Sequence, residues 1–151
     1  MITNTEQVLK MKARYFVDPN VPRAPQTATV RSIIDNLQQH NRVFVVDERD
    51  QLIGIVSDQD VVEALKNADQ AGRIKSGAAT VAEIMTPLEP TQTDTVARDN
   101  EPLQAVIDKL SGKNSQGKPF RAVPVVNAEG NVIGQVTRGS IQTRLTELLG
   151  E

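Results

Sequence analysis

Within Gly54-Ile55-Val56-Ser57-Asp58-Gln59-Asp60, a glycine, a hydroxyl and a carboxylate follow one another at intervals of three residues. Ser57 stands where a Val/Ile-rich run gives way to a helical pattern, so it is placed as a helix N-cap. Its hydroxyl would lie beside unpaired N–H groups at the positive end of a helix, surroundings that favour phosphate. Asp60, one turn further on, can accept both hydrogen bonds of a vicinal diol, each worth about 1.5–3 kcal/mol when charge-assisted. Gly54, having no Cβ, lets a ligand approach the backbone closely. The same residues also have a purely structural use, since Ser at the N-cap with an acid three residues later is a variant of the capping box. Both uses stay open at the level of sequence.

The rest of the composition removes most other chemistry. The 151 residues carry 17 Lys plus Arg against 19 Asp plus Glu, a formal charge of −2 that gives no cationic surplus for neutralising nucleic-acid phosphates. There is no cysteine, which excludes disulfides, thiolate catalysis and the usual sulfur ligands of zinc. The aromatic residues are Tyr15, Phe16, Phe44 and Phe120, too few for the stacking platforms of single-strand binders. No apolar run reaches the roughly 18–20 residues of a membrane span, and Met1–Lys12 lacks the apolar core of a signal peptide, so a cytoplasmic protein is expected. The acidic run Glu83, Glu89, Asp94, Asp99 and Glu101 reads as solvated surface, and no metal-ligand cluster is evident.

The elements that must hold Ser57 and Asp60 occur twice. Val43-Phe44-Val45-Val46-Asp47 and Gln51-Leu52-Ile53-Gly54-Ile55-Val56-Ser57 return 80 residues later as Val123-Pro124-Val125-Val126-Asn127 and Asn131-Val132-Ile133-Gly134-Gln135-Val136-Thr137. Upstream the shift becomes 73, pairing Ile33–Leu37 with Val106–Leu110, and the seven extra residues fall in the polar loop Ser111–Phe120. Val30, Ile33, Ile34 and Leu37 have helical spacing, as do Leu103, Val106, Ile107 and Leu110. Strands are expected over Arg42–Asp47 and Gln51–Val56, and over Ala122–Asn127 and Val132–Val136, joined by the polar turns Glu48-Arg49-Asp50 and Ala128-Glu129-Gly130. Val61, Val62 and Leu65 are expected on one face after Ser57, and Thr137 repeats that cap ahead of Ile141, Leu145 and Leu148. A repeat of about 60 residues is marginal alone, so the two copies are expected to pack sheet to sheet about a pseudo-twofold axis. The expected class is α+β (α/β): a leading helix over 1–15 with Val8, Met11 and Tyr15 inward, one repeat over 16–70, a linker over 71–79 and a second repeat over 80–149.

These residues resemble cystathionine-β-synthase (CBS) domains, as one tandem pair of β-α-β-β-α repeats. Ala82-Glu83-Ile84-Met85-Thr86-Pro87 is similar to the opening of a CBS repeat, and Ala122–Asn127 with Gly130–Gly134 to its central hairpin. Gly54–Asp60 is similar to the family's nucleotide signature of Gly, two apolar residues, Ser or Thr, two variable residues and Asp. The resemblance covers about residues 15–149 and implies a regulatory module without catalytic activity or an obligatory cofactor. It implies an adenine nucleotide (AMP, ADP or ATP) as ligand, bound in the cleft between the repeats.

By that resemblance the main site comprises Gly54, Ile55, Ser57, Asp58 and Asp60, with Asp60 on the ribose. The other repeat would complete it through Thr91 or Thr95, Phe120, Arg121 on phosphate, and the backbone of Ala122 and Val123 on adenine. The second site departs from the pattern: Ser140 replaces the ribose Asp, and Phe44 stands where the family pattern has a Pro like Pro124. Thr137 and Arg138 there, with Arg23, His40 and Asn41, are expected to form a weaker, phosphate-only or empty site, although His40 also suits a plain helix end. The expected partners are the nucleotide, a regulated protein and a second copy in a disc-shaped homodimer, with Val61, Val62, Leu65, Ile141 and Leu145 as its candidate surface. The competing reading is a nucleotide-independent adaptor with a vestigial cleft. An enzyme is the weakest reading, because no nucleophile–base pair or phosphate-binding loop can be assembled.

Overall fold

The computed structural model describes residues 5–88, 96–112 and 122–149. Its helices and strands run in the order α1 (Thr5–Lys10), β1 (Arg23–Pro25), α2 (Ile34–His40), β2 (Arg42–Val46), β3 (Leu52–Ser57), α3 (Asp58–Leu65), α4 (Ala68–Ser76), α5 (Val81–Ile84) and β4 (Thr86–Pro87). They continue with β5 (Ala97–Arg98), α6 (Leu103–Leu110), β6 (Ala122–Val126), β7 (Val132–Thr137) and α7 (Arg138–Leu149). The class is α+β, as expected. The chain divides into two compact units, one of Val21–Pro90 and one of Met1–Asn20 with Thr91–Glu151.

In the unit Val21–Pro90 the sheet order is β1-β2-β3-β4, with β1 parallel to β2 and the other pairs antiparallel. Every residue of β2 after Arg42 is buried, so both faces of this strand are covered. Val43, Val45 and Val56 pack with Val30, Ile33 and Leu37, which are three of the four residues of the expected helical stripe. A 3-10 turn at Arg31–Ile33 leads into α2, which ends at Asn41 in the left-handed region (φ 68), its N–H donating to Leu37 O at 2.9 Å.

The other unit repeats this plan. The sheet order is β5-β6-β7, β5 parallel to β6 and β6 antiparallel to β7. The hairpin registers match residue for residue under the 80-residue shift: Val45 opposite Gly54 and Val125 opposite Gly134, with the same irregularity after each. The turns match too. Asp47 Oδ1 accepts the N–H groups of Arg49 and Gln51 at 2.9 and 3.0 Å, and Asn127 Oδ1 accepts those of Glu129 and Asn131 at 3.0 and 2.9 Å. This side-chain turn explains why the repeat keeps Asp or Asn at that place.

The Phe44/Pro124 difference also has a local cause. The N–H of Phe44 donates to Pro22 O at 2.9 Å, a bond that proline cannot make. Accordingly β1 matches β2 over three residues, whereas β5 matches β6 over two.

Two expectations change. The leading helix stops at Lys10, Lys12 is extended, and a separate 3-10 turn covers Ala13–Phe16. The change of phase buries Ala13 and Phe16 and leaves Tyr15 46% exposed, so Tyr15 is not an inward residue. The expected linker 71–79 includes the second half of α4 and its left-handed cap Gly77, with Ile74 in the core of the unit Val21–Pro90. Of the apolar residues expected on one face after Ser57, only Val61 is buried. Val62 and Leu65 are 52% and 49% exposed, and Ala64 takes the inward position.

Candidate functional site

The β3-to-α3 junction builds the cap that the Ser57/Asp60 spacing allows. The Ser57 N–H donates to Asp60 Oδ2 at 2.8 Å, the Ser57 hydroxyl donates to the same oxygen at 3.2 Å, and the Asp60 N–H donates to Ser57 Oγ at 3.2 Å. The other carboxylate oxygen, Oδ1, accepts the hydroxyl proton of Thr86 at 3.2 Å. Asp60 is half-buried, Asp58 is exposed, and the Asp58 N–H donates to Asn41 O at 3.2 Å. Three donors thus reach a group with about four acceptor positions, and the one left is on Oδ1. Capping and ligand binding therefore do not exclude each other at Asp60.

The β7-to-α7 junction copies this cap without charge. The Thr137 N–H donates to Ser140 Oγ at 2.9 Å, the Ser140 N–H donates to Thr137 Oγ1 at 3.0 Å, and the Ser140 hydroxyl donates to Thr137 O at 3.0 Å. The Ser140 oxygen spends its proton and one lone pair on the cap, which leaves a single neutral acceptor.

The strand glycines Gly54 and Gly134 also serve packing, whatever ligand approach Gly54 allows. A Cβ on Gly54 would lie 2.5 Å from Met85 Sδ and 3.0 Å from Thr86 O, so Met85 and the start of β4 occupy the space. Gly134 has φ +149, and a Cβ there would collide with Asp18 O and Val17 Cγ1. The segments that fill the two spaces correspond. Val17-Asp18-Pro19 stands to β7 as Met85-Thr86-Pro87 stands to β3, with Asp18 bridged to Gln135. Ala13–Pro19 is thus the counterpart of Val81–Pro87, a match at a shift of 68 that sequence reasoning missed, with Pro19/Pro87 as its one identity.

Each cap opens on a shallow cleft of about 620 Å³ between its helix and its filling segment. The α3 cleft is lined by Asp60, Glu63, Ala64, Asn67, Gln70, Glu83 and Ile84, and the α7 cleft includes Tyr15, Phe16, Asp18, Ser140, Thr143, Arg144 and Glu147. Three carboxylates and no cation line the first. In the second, Arg144 is paired with Glu147 at 2.8 Å. Glu83 is bound outside the cleft. Its Oε2 accepts the Thr80 N–H at 2.7 Å, its Oε1 meets Arg73 at 2.6 Å, and these hold its carboxyl below the usual 4.5, the backbone bond contributing most.

The remaining expected residues divide between the units. Gly54, Ile55, Ser57, Asp58 and Asp60 lie together, whereas Ala122 and Val123 open β6 in the other unit. Arg23 is on β1, and His40 and Asn41 end α2 beside the start of α3, all in the unit of Asp60. Thr137, Arg138 and Ser140 begin α7. Thr91, Thr95, Phe120 and Arg121 lie outside the described residues. Of the expected dimer surface, Val61 belongs to the core of its own unit, and Ile141 and Leu145 pack partly buried on theirs. Among the described residues no group of His, Cys, Asp or Glu could hold a metal, and no helix is long and apolar enough to cross a membrane.

The CBS domain family model matches residues 13–67 and 81–147. An uncharacterized 17.7 kDa protein in the bps2 3′ region of Acidianus ambivalens is 27% identical over 139 residues, 91% of this chain and 70% of that protein. Among solved structures, CBSX2 in complex with AMP is 26% identical, with a TM-score of 0.69 over 91% of this chain and 98% of that one. CBSX2 from Arabidopsis thaliana, a CBS-pair protein, is 25% identical, with a TM-score of 0.68 over 91% and 96%.

Proposed function

This chain belongs to the CBS domain family, of which it carries two copies, and on that premise we propose that it is a regulatory module that binds an adenine nucleotide. Asp60 takes the ribose diol, and Ser57 with the first turn of α3 lies beside the phosphate. Gly54, Ile55 and Asp58 shape the site around that cap. The observation that carries the reading is the half-buried Asp60 carboxylate, fixed through Oδ2 by its own helix cap with an acceptor position left on Oδ1. The likeness at 26% identity to a CBSX2 structure in complex with AMP supports the ligand class. The site at Thr137, Arg138 and Ser140 is the weaker one, because a neutral hydroxyl already used in its cap replaces the carboxylate.

Binding would alter how the module meets a second copy or a regulated protein, and the exposed Val62 and Leu65 on α3 are the surface for such contacts. Those two residues also favour the second reading, an adaptor that engages its partner without nucleotide. Thermal unfolding separates the two. A nucleotide at a hundred times its Kd stabilises the folded form by about 2.7 kcal/mol, which for a chain of this size raises Tm by roughly 5–10 °C. No shift with AMP, ADP or ATP at millimolar concentration would leave only the adaptor.

A further inference from the structure

We propose that Thr86 is an affinity-setting residue that competes with the ribose diol for Asp60. The inference rests on the nucleotide-binding reading and names the residue that tunes it. A diol gripped by one carboxylate needs two acceptor positions, and Ser57 already holds both of those on Oδ2 through its N–H and its hydroxyl. Oδ1 has two positions, and Thr86 fills one of them. Full engagement of both ribose hydroxyls therefore displaces the Thr86 proton.

The Ser57 hydroxyl, also 3.2 Å from the carboxylate, is half-buried, so exposure makes Thr86 the donor that yields. Its bond is 3.2 Å long, well beyond the 2.5–2.7 Å of a strong hydroxyl–carboxylate contact. Thr86 is exposed, so its hydroxyl can turn to water without leaving a buried donor unpaired. The Ser57 N–H, at 2.8 Å and half-buried, has no such alternative. Release of the hydroxyl need not move the backbone, because β4 is held by its pairing with Gly54 and Ile55 and by the Leu88 N–H donating to Ile53 O at 2.9 Å. Position 18, the counterpart of Thr86, carries an acid whose Oδ1 accepts the Asn20 N–H at 2.9 Å, so no equivalent competitor covers Ser140.

The test is calorimetric titration of AMP and of 2′,3′-dideoxy-AMP into the full chain, its Thr86→Val variant and its Thr86→Ser variant. Removing a competing hydrogen bond should tighten AMP binding by about three- to tenfold in Thr86→Val. Thr86→Ser should restore the original affinity. The dideoxy compound, having no diol, should gain nothing. Equal or weaker AMP binding by Thr86→Val would overturn the competition while leaving the nucleotide reading intact, as would an equal gain for the dideoxy compound. Absence of AMP binding by both the unaltered chain and Thr86→Val would refute the nucleotide reading and the competition together.

Discussion

Substituting Gly54 by Ala tests whether this glycine serves the packing of β4. The added Cβ would stand 2.5 Å from Met85 Sδ, 3.0 Å from Met85 Cγ and 3.0 Å from Thr86 O. The sulfur can move, because Met85 is half-buried and flexible, whereas the carbonyl is held in the β3–β4 ladder. Overpacking of this kind costs about 1–3 kcal/mol, against which Ala recovers about 0.5–1 kcal/mol of glycine backbone entropy. A net loss of about 1–2 kcal/mol follows, which with a slope of about 2 kcal/mol per molar lowers the urea midpoint by roughly 0.5–1 M. Met85→Ala removes one of the two obstacles. In the double variant the Gly54→Ala penalty should therefore shrink by about half, a coupling of ~0.5–1 kcal/mol. The readout is equilibrium urea unfolding of the ligand-free protein for the four members of the cycle. A Gly54→Ala variant as stable as the original, or strictly additive penalties, would refute the packing argument.

Three further outcomes follow from the geometry. Ser140→Asp should keep the α7 cap, since a carboxylate accepts the Thr137 N–H as Asp60 accepts that of Ser57, and it should raise nucleotide stoichiometry by calorimetry from one to two. An unchanged stoichiometry would show that residue 140 is not what weakens the second site. Lys109→Met should destabilise by about 1–3 kcal/mol in urea unfolding, because Lys109 and Glu101 pair at 2.6 Å with side chains only 11% and 23% exposed, and its loss leaves a largely buried carboxylate without that cation and, among the described residues, with only the Arg98 N–H as a partner. A loss below a few tenths would contradict this. Glu83 is held below 4.5 in the folded protein, so its contribution is present above that pH and fades as pH falls through its folded value. The stability gap between the original and Glu83→Gln should thus be full at pH 7 and narrow as pH falls below 4.5. A gap independent of pH would contradict the assignment.

What the sequence made legible is what recurs with a short period or a local partner. The Leu103, Val106 and Leu110 stripe, the Val/Ile alternation and the caps at Ser57 and Thr137 depend on neighbours within a few residues, and the structure keeps them. The helix α4 was not legible because one residue in it, Ile74, is buried and Gly72 weakens its propensity, so no apolar stripe marks it. The role of Ala13–Pro19 was hidden by a different cause. Its match to Val81–Pro87 has a shift of its own, 68 residues, and preserves backbone shape with little side-chain identity. At the site, Ser57 and Asp60 were readable from their spacing, whereas the Thr86 contact joins residues 26 apart and the filling of the space over Gly54 comes from the same segment. Long-range contacts of that kind leave no periodic trace.

The proposed ligand chemistry stands or falls with the carboxylate of Asp60. In a titration of isotopically labelled protein with AMP, followed by amide chemical shifts, the account predicts saturable changes at Ser57, Asp60 and Thr86 that disappear in Asp60→Ala. Saturable binding that persists unweakened in Asp60→Ala, or shifts that never include the first turn of α3, would contradict it.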